Sequence, residues 1–223
     1  MILKLFIEAI LKFTLGVVLV GTLIFLPAWS FDYFGGWLLM GLLFVPMFVA
    51  GIVMMIKNPK LLSSRLDAKE KEKTQDIVVK LSGLMFVAGF VVAGLDYRFK
   101  WLEIPLFVQI IAAAIFLISY VLYAIVLKQN TFLSRTIKVK KEQYVIDSGL
   151  YGVVRHPMYT ATIFLFLSMP LVLGSLLSLI VFLFYPFLIV ARIKNEEKVL
   201  SENLKGYNEY KKKVKYRLIP FIW

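Results

Sequence analysis

Four uninterrupted apolar stretches constrain this chain more than any other feature of its sequence. They are too long for core helices of a soluble protein, because ~20 apolar residues at ~1.5 Å each match the ~30 Å hydrocarbon thickness of a bilayer. Hydrophobic residues make up 60% of the chain, which leaves no stretch long enough for a separate soluble domain. The sequence therefore predicts an all-α, polytopic integral membrane protein with four long spans at residues 13–29, 34–56, 77–95 and 104–127.

Two shorter apolar stretches follow, and they predict a short helical hairpin. Residues 158–173 and 176–191 meet at Gly174-Ser175 and are 16 residues long each. At ~1.5 Å per residue each arm reaches roughly 24 Å, which is less than the hydrocarbon core. We therefore expect the polar ends of the hairpin to lie slightly inside the membrane boundary.

The chain is expected to form one structural domain with two parts. Residues 1–127 hold the four spans, with a charged connector at 57–76 that is predicted to be cytoplasmic. Residues 128–223 hold a polar loop, the hairpin at 158–191 and an amphipathic cytoplasmic helix near the C-terminus.

The basic residues predict the orientation in the membrane. The formal net charge is +12, and only Arg98 and Lys100 fall in segments on the predicted outer side. Cytoplasmic loops of membrane proteins carry an excess of Lys and Arg. We therefore expect an even number of spans in the cell membrane, with both termini cytoplasmic, and no nucleic-acid partner.

Several kinds of site are excluded by composition. The chain has no cysteine and one histidine. Disulfides, thiolate sites and multi-histidine metal sites are therefore ruled out, and we expect no metal. Neither a dinucleotide-binding glycine motif after a strand nor a P-loop is present.

The single histidine lies in a polar island, residues 148–161, between apolar stretches. Two later polar segments, residues 192–200 and 207–220, complete the pattern Gly-x-Tyr…Arg-His-Pro-x-Tyr, then Glu-Glu, then Tyr-Arg-x-Ile-Pro. A hairpin returns its two ends to the same side of the membrane. The island and the Glu-Glu segment should therefore converge, which would bring together Arg155, His156, Tyr159, Arg192 and Glu196.

These three segments resemble the isoprenylcysteine carboxyl methyltransferase family and its relatives, the small membrane-embedded phospholipid methyltransferases. The resemblance covers residues 130–223 and implies a methyltransferase that uses S-adenosyl-L-methionine. It further implies that Arg192 contacts the substrate, with Arg192 and His156 as candidate catalytic residues. The cofactor-binding residues carried over from the family are Gln143, Tyr144, Val145, Ile146, Tyr151, His156, Pro157, Met158, Tyr159 and Glu196.

The residue types suit that cofactor. S-adenosylmethionine carries a cationic sulfur, which aromatic faces and a carboxylate can bind. Arg192 and Glu196 are four residues apart, so a helix would place them on one face. We expect the arginine to face a lipid-like acceptor in the bilayer, and the glutamate to face the cofactor.

Other polar residues of the motif have structural interpretations. Pro157 suits the first position of a helix, so His156 could simply cap that helix. Arg155 is predicted to anchor the chain at the membrane edge, and Glu197 receives no assignment. Tyr207, Tyr210 and Arg217 are expected to brace the C-terminal helix against the membrane face.

Two other classes of function stay open. Membrane sterol reductases, which use NADPH, end in a similar Tyr-Arg-x-Ile-Pro pattern, although they usually carry more spans than 223 residues allow. A non-enzymatic membrane protein could retain the fold without the activity. The acceptor is equally open, because a carboxylate, an amine or a thiol of an amphiphilic molecule would each accept a methyl group.

Overall fold

The computed structural model describes residues 2–66, 73–133, 139 and 142–223. Residues 67–72 of the predicted connector and part of the polar loop, residues 134–138, 140 and 141, therefore lie outside the described residues. The described residues form nine α-helices and no strand, which confirms the all-α prediction. In chain order they are α1 (Ile2–Ala28), α2 (Phe34–Lys57), α3 (Pro59–Leu66), α4 (Lys73–Phe99), α5 (Leu106–Gln129), α6 (Pro157–Val172), α7 (Leu176–Phe182), α8 (Tyr185–Asn203) and α9 (Tyr207–Lys213).

Five helical segments within the described residues are long and apolar enough to cross a bilayer. They are α1, α2, α4, α5 and the combined α7–α8 segment, Leu176–Asn203. The chain is thus a multi-pass membrane protein. The first span begins eleven residues earlier than expected, because the polar residues Glu8 and Lys12 continue the helix and pair across one turn at 2.6 Å.

The predicted hairpin is present, but its second arm is longer than expected. The first arm is α6, and Gly174 turns the chain with a φ of +80°, a conformation that favours glycine. The second arm does not end at residue 191, because α8 continues to Asn203. Residues 192–203 are mostly good helix formers. A change from apolar to polar sequence therefore marks where the helix leaves the apolar region, not where the helix ends.

Glycines allow close approach of the helices in the core. A Cβ atom at Gly94 of α4 would lie 2.6 Å from the carbonyl oxygen of Ile24 in α1. A Cβ atom at Gly35 of α2 would lie 2.8 Å from the carbonyl oxygen of Leu173, just after α6. Such contacts are typical of helices that pack backbone to backbone in a bilayer.

The two ends of the bundle have different polar contacts. At one end, the Tyr33 hydroxyl donates to the Leu173 carbonyl at 2.6 Å, and the Ser175 hydroxyl donates to Asp96. The turns after α1, α4 and α6 therefore lie together. At the opposite end, Gln75 donates to the Arg192 carbonyl at 3.2 Å, which joins the start of α4 to α8. The polar island lies at this second end.

Candidate active site

The island begins as a short 3-10 turn, Gly149–Gly152, that is fastened to the end of α5. The Leu150 amide donates to Gln129 Oε1 at 3.1 Å. Gly149 has a φ of +60°, and a Cβ atom there would meet the Gln129 side chain at 2.5 Å. The left-handed φ favours glycine at this position, and any larger residue would also have to displace the Gln129 side chain. The turn buries the Tyr151 ring, whose hydroxyl accepts a hydrogen bond from Asn130 Nδ2 at 3.1 Å.

The start of α6 is held by backbone from the C-terminal tail. His156 is the N-cap residue and Pro157 occupies the first turn, as the sequence predicted. The His156 side chain makes no capping hydrogen bond. Instead, the amides of Arg155 and His156 donate to the carbonyls of Tyr216 and Arg217, each at 2.9 Å.

Arg192, Tyr159 and Glu196 form one hydrogen-bonded group. The Tyr159 hydroxyl donates to Glu196 Oε2 at 2.6 Å and accepts from Arg192 Nε at 2.9 Å. The four-residue spacing in α8 does place Arg192 and Glu196 on one face, and α6 supplies the tyrosine between them. The guanidinium and the carboxylate therefore have a fixed separation set by one phenol group.

The second glutamate, Glu197, lies in a buried ion cluster beside this group. Its Oε1 accepts from Arg155 Nε at 2.7 Å and lies 3.3 Å from His156 Nε2, and its Oε2 accepts from Arg217 Nε at 2.9 Å. Arg155 also donates to the carbonyls of Val214 and Lys215, at 2.7 and 2.9 Å. The sequence interpretation of Arg155 as a membrane-edge anchor is wrong, because its side chain is only 5% exposed. Three charged groups instead join the island, α8 and the tail.

A cavity that is open to solvent lies between the island, α8 and α9, and the empty space there, including open solvent, is about 830 Å³. Most of the site residues predicted from the sequence line it: Gln143, Tyr144, Val145, Ile146, Tyr151, His156, Met158, Tyr159, Arg192 and Glu196. Pro157 is buried at the start of α6 and is not among the described lining residues. Arg155 also lines the cavity, whereas Glu197 is not among its lining residues.

Sequence reasoning did not assign seven of the 18 described lining residues to the site. The additional residues are Asn130, Phe132, Leu133, Leu200, Leu204, Tyr207 and Tyr210. Leu200 and Leu204 continue the four-residue spacing of Arg192 and Glu196, so the helical period could have predicted that they face the same cavity. Tyr207 and Tyr210 were expected to brace the membrane face, but both are buried and line the cavity. Arg217, grouped with them, binds Glu197.

Two buried tyrosines of the cavity, Tyr151 and Tyr210, stay neutral at physiological pH. Burial raises the pKa of Tyr151 well above its usual value, although the hydrogen bond from Asn130 opposes this. Burial also raises the pKa of Tyr210, whose hydroxyl donates to the Tyr151 carbonyl at 2.7 Å. Both hydroxyl groups therefore keep their protons: Tyr210 donates its proton to the Tyr151 carbonyl, and Tyr151 can donate to another group.

Comparison with known proteins assigns this region. Residues 99–202 match the family model described as the isoprenylcysteine carboxyl methyltransferase (ICMT) family. Over these residues the chain is similar to that family. The ICMT match runs from the end of α4 to the end of α8, so it includes the island, the hairpin, Glu196 and Glu197, and it ends before α9.

One curated relative is similar to part of the sequence. The delta(14)-sterol reductase TM7SF2 of Mus musculus is 33% identical to this chain over 91 residues. Those residues are 40% of this chain and 22% of the reductase, so the chain spans a small part of that relative.

Proposed function

We propose that the protein is an integral membrane methyltransferase that uses S-adenosylmethionine and acts on a membrane-partitioned acceptor. One observation carries the proposal. Arg192, Tyr159 and Glu196, which all lie within the ICMT match, line one cavity at the polar end of apolar helices. An acceptor that partitions into the bilayer would reach such a site laterally, between helices. Its chemical class is a carboxylate, amine or thiol of an amphiphilic molecule.

The lining residues fit the cofactor chemically. The cavity offers the carboxylate of Glu196 and several tyrosine rings, which suit a ligand with a sulfonium and an ammonium group. The residues that would hold it are Gln143 to Ile146, Tyr151, His156, Met158, Tyr159 and Glu196, with Pro157 shaping the start of α6. When bound, S-adenosylmethionine supplies a methyl group activated by its positively charged sulfur.

The chain contributes position and charge. Arg192 would hold the acceptor, since its planar guanidinium can grip an anionic or polar headgroup at two points. Tyr159 connects Arg192 to Glu196, so the acceptor and cofactor positions are coupled through one hydroxyl group. Alignment of the reacting groups is the main demand of a displacement, and such positioning accounts for a large part of the rate in comparable reactions.

Titration calorimetry of the purified protein in detergent tests this proposal. We expect binding of S-adenosylmethionine and no binding of NADPH. Binding of NADPH alone would favour a reductase, for which the similarity to the sterol reductase is the supporting observation. Binding of neither would favour a non-enzymatic protein.

Replacing Glu196 by glutamine should weaken cofactor binding about ten- to hundredfold. The amide keeps the shape but loses the charge, and a hydrogen bond to a charged group contributes about 1.5–3 kcal/mol. The measurement is the calorimetric affinity for S-adenosylmethionine. Glu202→Gln is the matched control, because Glu202 carries the same charge on the same helix and does not line this cavity. Equal affinities of Glu196→Gln and wild type would show that Glu196 does not bind the cofactor.

The orientation is part of the proposal, with both termini and the cavity on the cytoplasmic side. The chain has no cysteine, so single cysteines can be introduced cleanly. Cysteines at Ser30 and Tyr97 should react with an impermeant reagent added to intact cells, and a cysteine at Ser201 should not. Labelling of the cysteine at position 201 from outside the cell would show that the orientation is the opposite of the one proposed.

A further inference from the structure

Tyr207, the first residue of α9, has an unusual hydroxyl group. The residue is 4% exposed, and its hydroxyl has no hydrogen-bond partner among the described residues. A buried hydroxyl without a partner costs free energy, and most buried polar groups in proteins are paired. This hydroxyl belongs to a residue that lines the cavity.

The neighbouring tyrosines make the contrast clear. The Tyr159 hydroxyl has Glu196 and Arg192 as partners, the Tyr210 hydroxyl has the Tyr151 carbonyl, and the Tyr151 hydroxyl has Asn130. Among the buried tyrosines of the cavity, only the hydroxyl of Tyr207 therefore has no hydrogen-bond partner among the described residues.

The ring of Tyr207 is held firmly in place. It belongs to a buried apolar cluster with Leu204, Tyr210 and Val214, and Val145 and Leu200 pack against that cluster. The rings of Tyr207 and Tyr210 lie with centroids 5.8 Å apart. Because these contacts fix the ring, the hydroxyl cannot turn out to bulk water without losing them.

The hydroxyl is neutral and can both donate and accept. Burial raises the pKa of Tyr207 well above its usual value, and the carboxylates of Glu197 and Glu196 raise it further. Apolar side chains surround the ring, whereas the carboxylates of Glu197 and Glu196 and the guanidinium of Arg155 lie near enough to the hydroxyl to act on its pKa. A flat, largely apolar ligand group with polar atoms at its edge fits these surroundings, and a nucleoside is such a group.

We propose that Tyr207 is a ligand-binding residue of the cavity and that its hydroxyl group hydrogen-bonds to the nucleoside part of the cofactor. This inference rests on the proposed methyltransferase function. It extends the site beyond the ICMT match, which ends at residue 202, and makes α9 one of its walls.

The substitution Tyr207→Phe tests the inference by two measurements that move in opposite directions. Removal of a buried, unpartnered hydroxyl should leave the thermal midpoint of the ligand-free protein unchanged or higher. The calorimetric affinity for S-adenosylmethionine and for S-adenosylhomocysteine should fall roughly three- to tenfold, as expected for one hydrogen bond. A residue with only a structural role would not combine these two effects.

Two matched variants complete the test. Tyr216→Phe removes a phenol hydroxyl outside the cavity and should leave both affinities unchanged. Tyr210→Phe breaks the bond to the Tyr151 carbonyl and should lower the thermal midpoint, unlike Tyr207→Phe.

The outcomes separate the inference from the proposal on which it rests. A lower thermal midpoint of ligand-free Tyr207→Phe would mean that the hydroxyl is bonded within the protein, and would overturn the inference. If wild type and Tyr207→Phe bind both probes equally, the inference falls and the methyltransferase proposal stands. If wild type binds neither probe, both fall.

Discussion

Replacing Glu197 by glutamine is expected to destabilise the folded protein by about 3–5 kcal/mol, the usual cost of removing one partner from a buried ion pair. The side chains of Arg155 and Glu197 are each 5% exposed, so the Arg155 guanidinium would remain charged in a buried place after the loss of its partner. Arg217 would lose the same partner. The new amide would also direct an N–H group toward a guanidinium, where a donor meets donors. The measurement is the unfolding midpoint in detergent.

The adjacent glutamate is the matched control for this stability effect. Glu196→Gln removes the same charge one residue earlier on α8, but Glu196 is only partly buried and its amide oxygen can still accept from Tyr159. We expect its unfolding midpoint to stay close to that of wild type. Similar midpoints for Glu197→Gln and wild type would show that the ion cluster contributes little to folding.

Replacing Arg192 by lysine is expected to abolish most methyl transfer while preserving cofactor binding. Lysine keeps the positive charge but lacks the planar, two-point grip of a guanidinium, and it also cannot reproduce the contact from Arg192 Nε to the Tyr159 hydroxyl at 2.9 Å. A displaced acceptor no longer lies in line with the transferred methyl group, and a misplacement of ~1 Å can cost ~100-fold in rate.

The assay for Arg192→Lys uses labelled S-adenosylmethionine with a membrane lipid extract, because the acceptor is defined only by chemical class. Calorimetry gives the cofactor affinity of the same preparation. Arg98→Lys is the matched control, since Arg98 lies in α4 at the end of the bundle away from the cavity and packs over Trp29. Loss of cofactor binding in Arg192→Lys would indicate that Arg192 binds the cofactor rather than the acceptor. Methyl transfer by Arg192→Lys at the wild-type rate would show that Arg192 does not hold the acceptor.

The sequence was sufficient to predict the all-α membrane fold, four of the five long apolar helical segments among the described residues, and much of the cavity lining. Apolar stretches identify spans directly, because a bilayer demands continuous apolar surface. The convergence of Tyr159, Arg192 and Glu196 followed from two simple facts, namely that a hairpin brings its ends together and that residues four apart share a helical face. Both facts are local in sequence.

The contacts that the sequence could not predict depend on packing of distant segments. Glu196 and Glu197 are chemically identical neighbours, yet one lines the cavity and the other lies in the ion cluster. Only the rotation of α8 against the island and the tail distinguishes them. Arg155 was interpreted as an anchor for the same reason, since its partners Glu197 and Val214 lie far along the chain.

The backbone bonds between the island and the tail have a consequence for biosynthesis. Arg155 and Lys215 are 60 residues apart, and the amides of Arg155 and His156 bind the carbonyls of Tyr216 and Arg217. The ribosome delivers these tail residues after it has delivered all the helices that cross the bilayer. Contacts between such distant segments also form late, because the intervening chain must first be ordered. Insertion of the helix bundle and assembly of the cavity are therefore successive events, and the bundle can be in the membrane before it has a site.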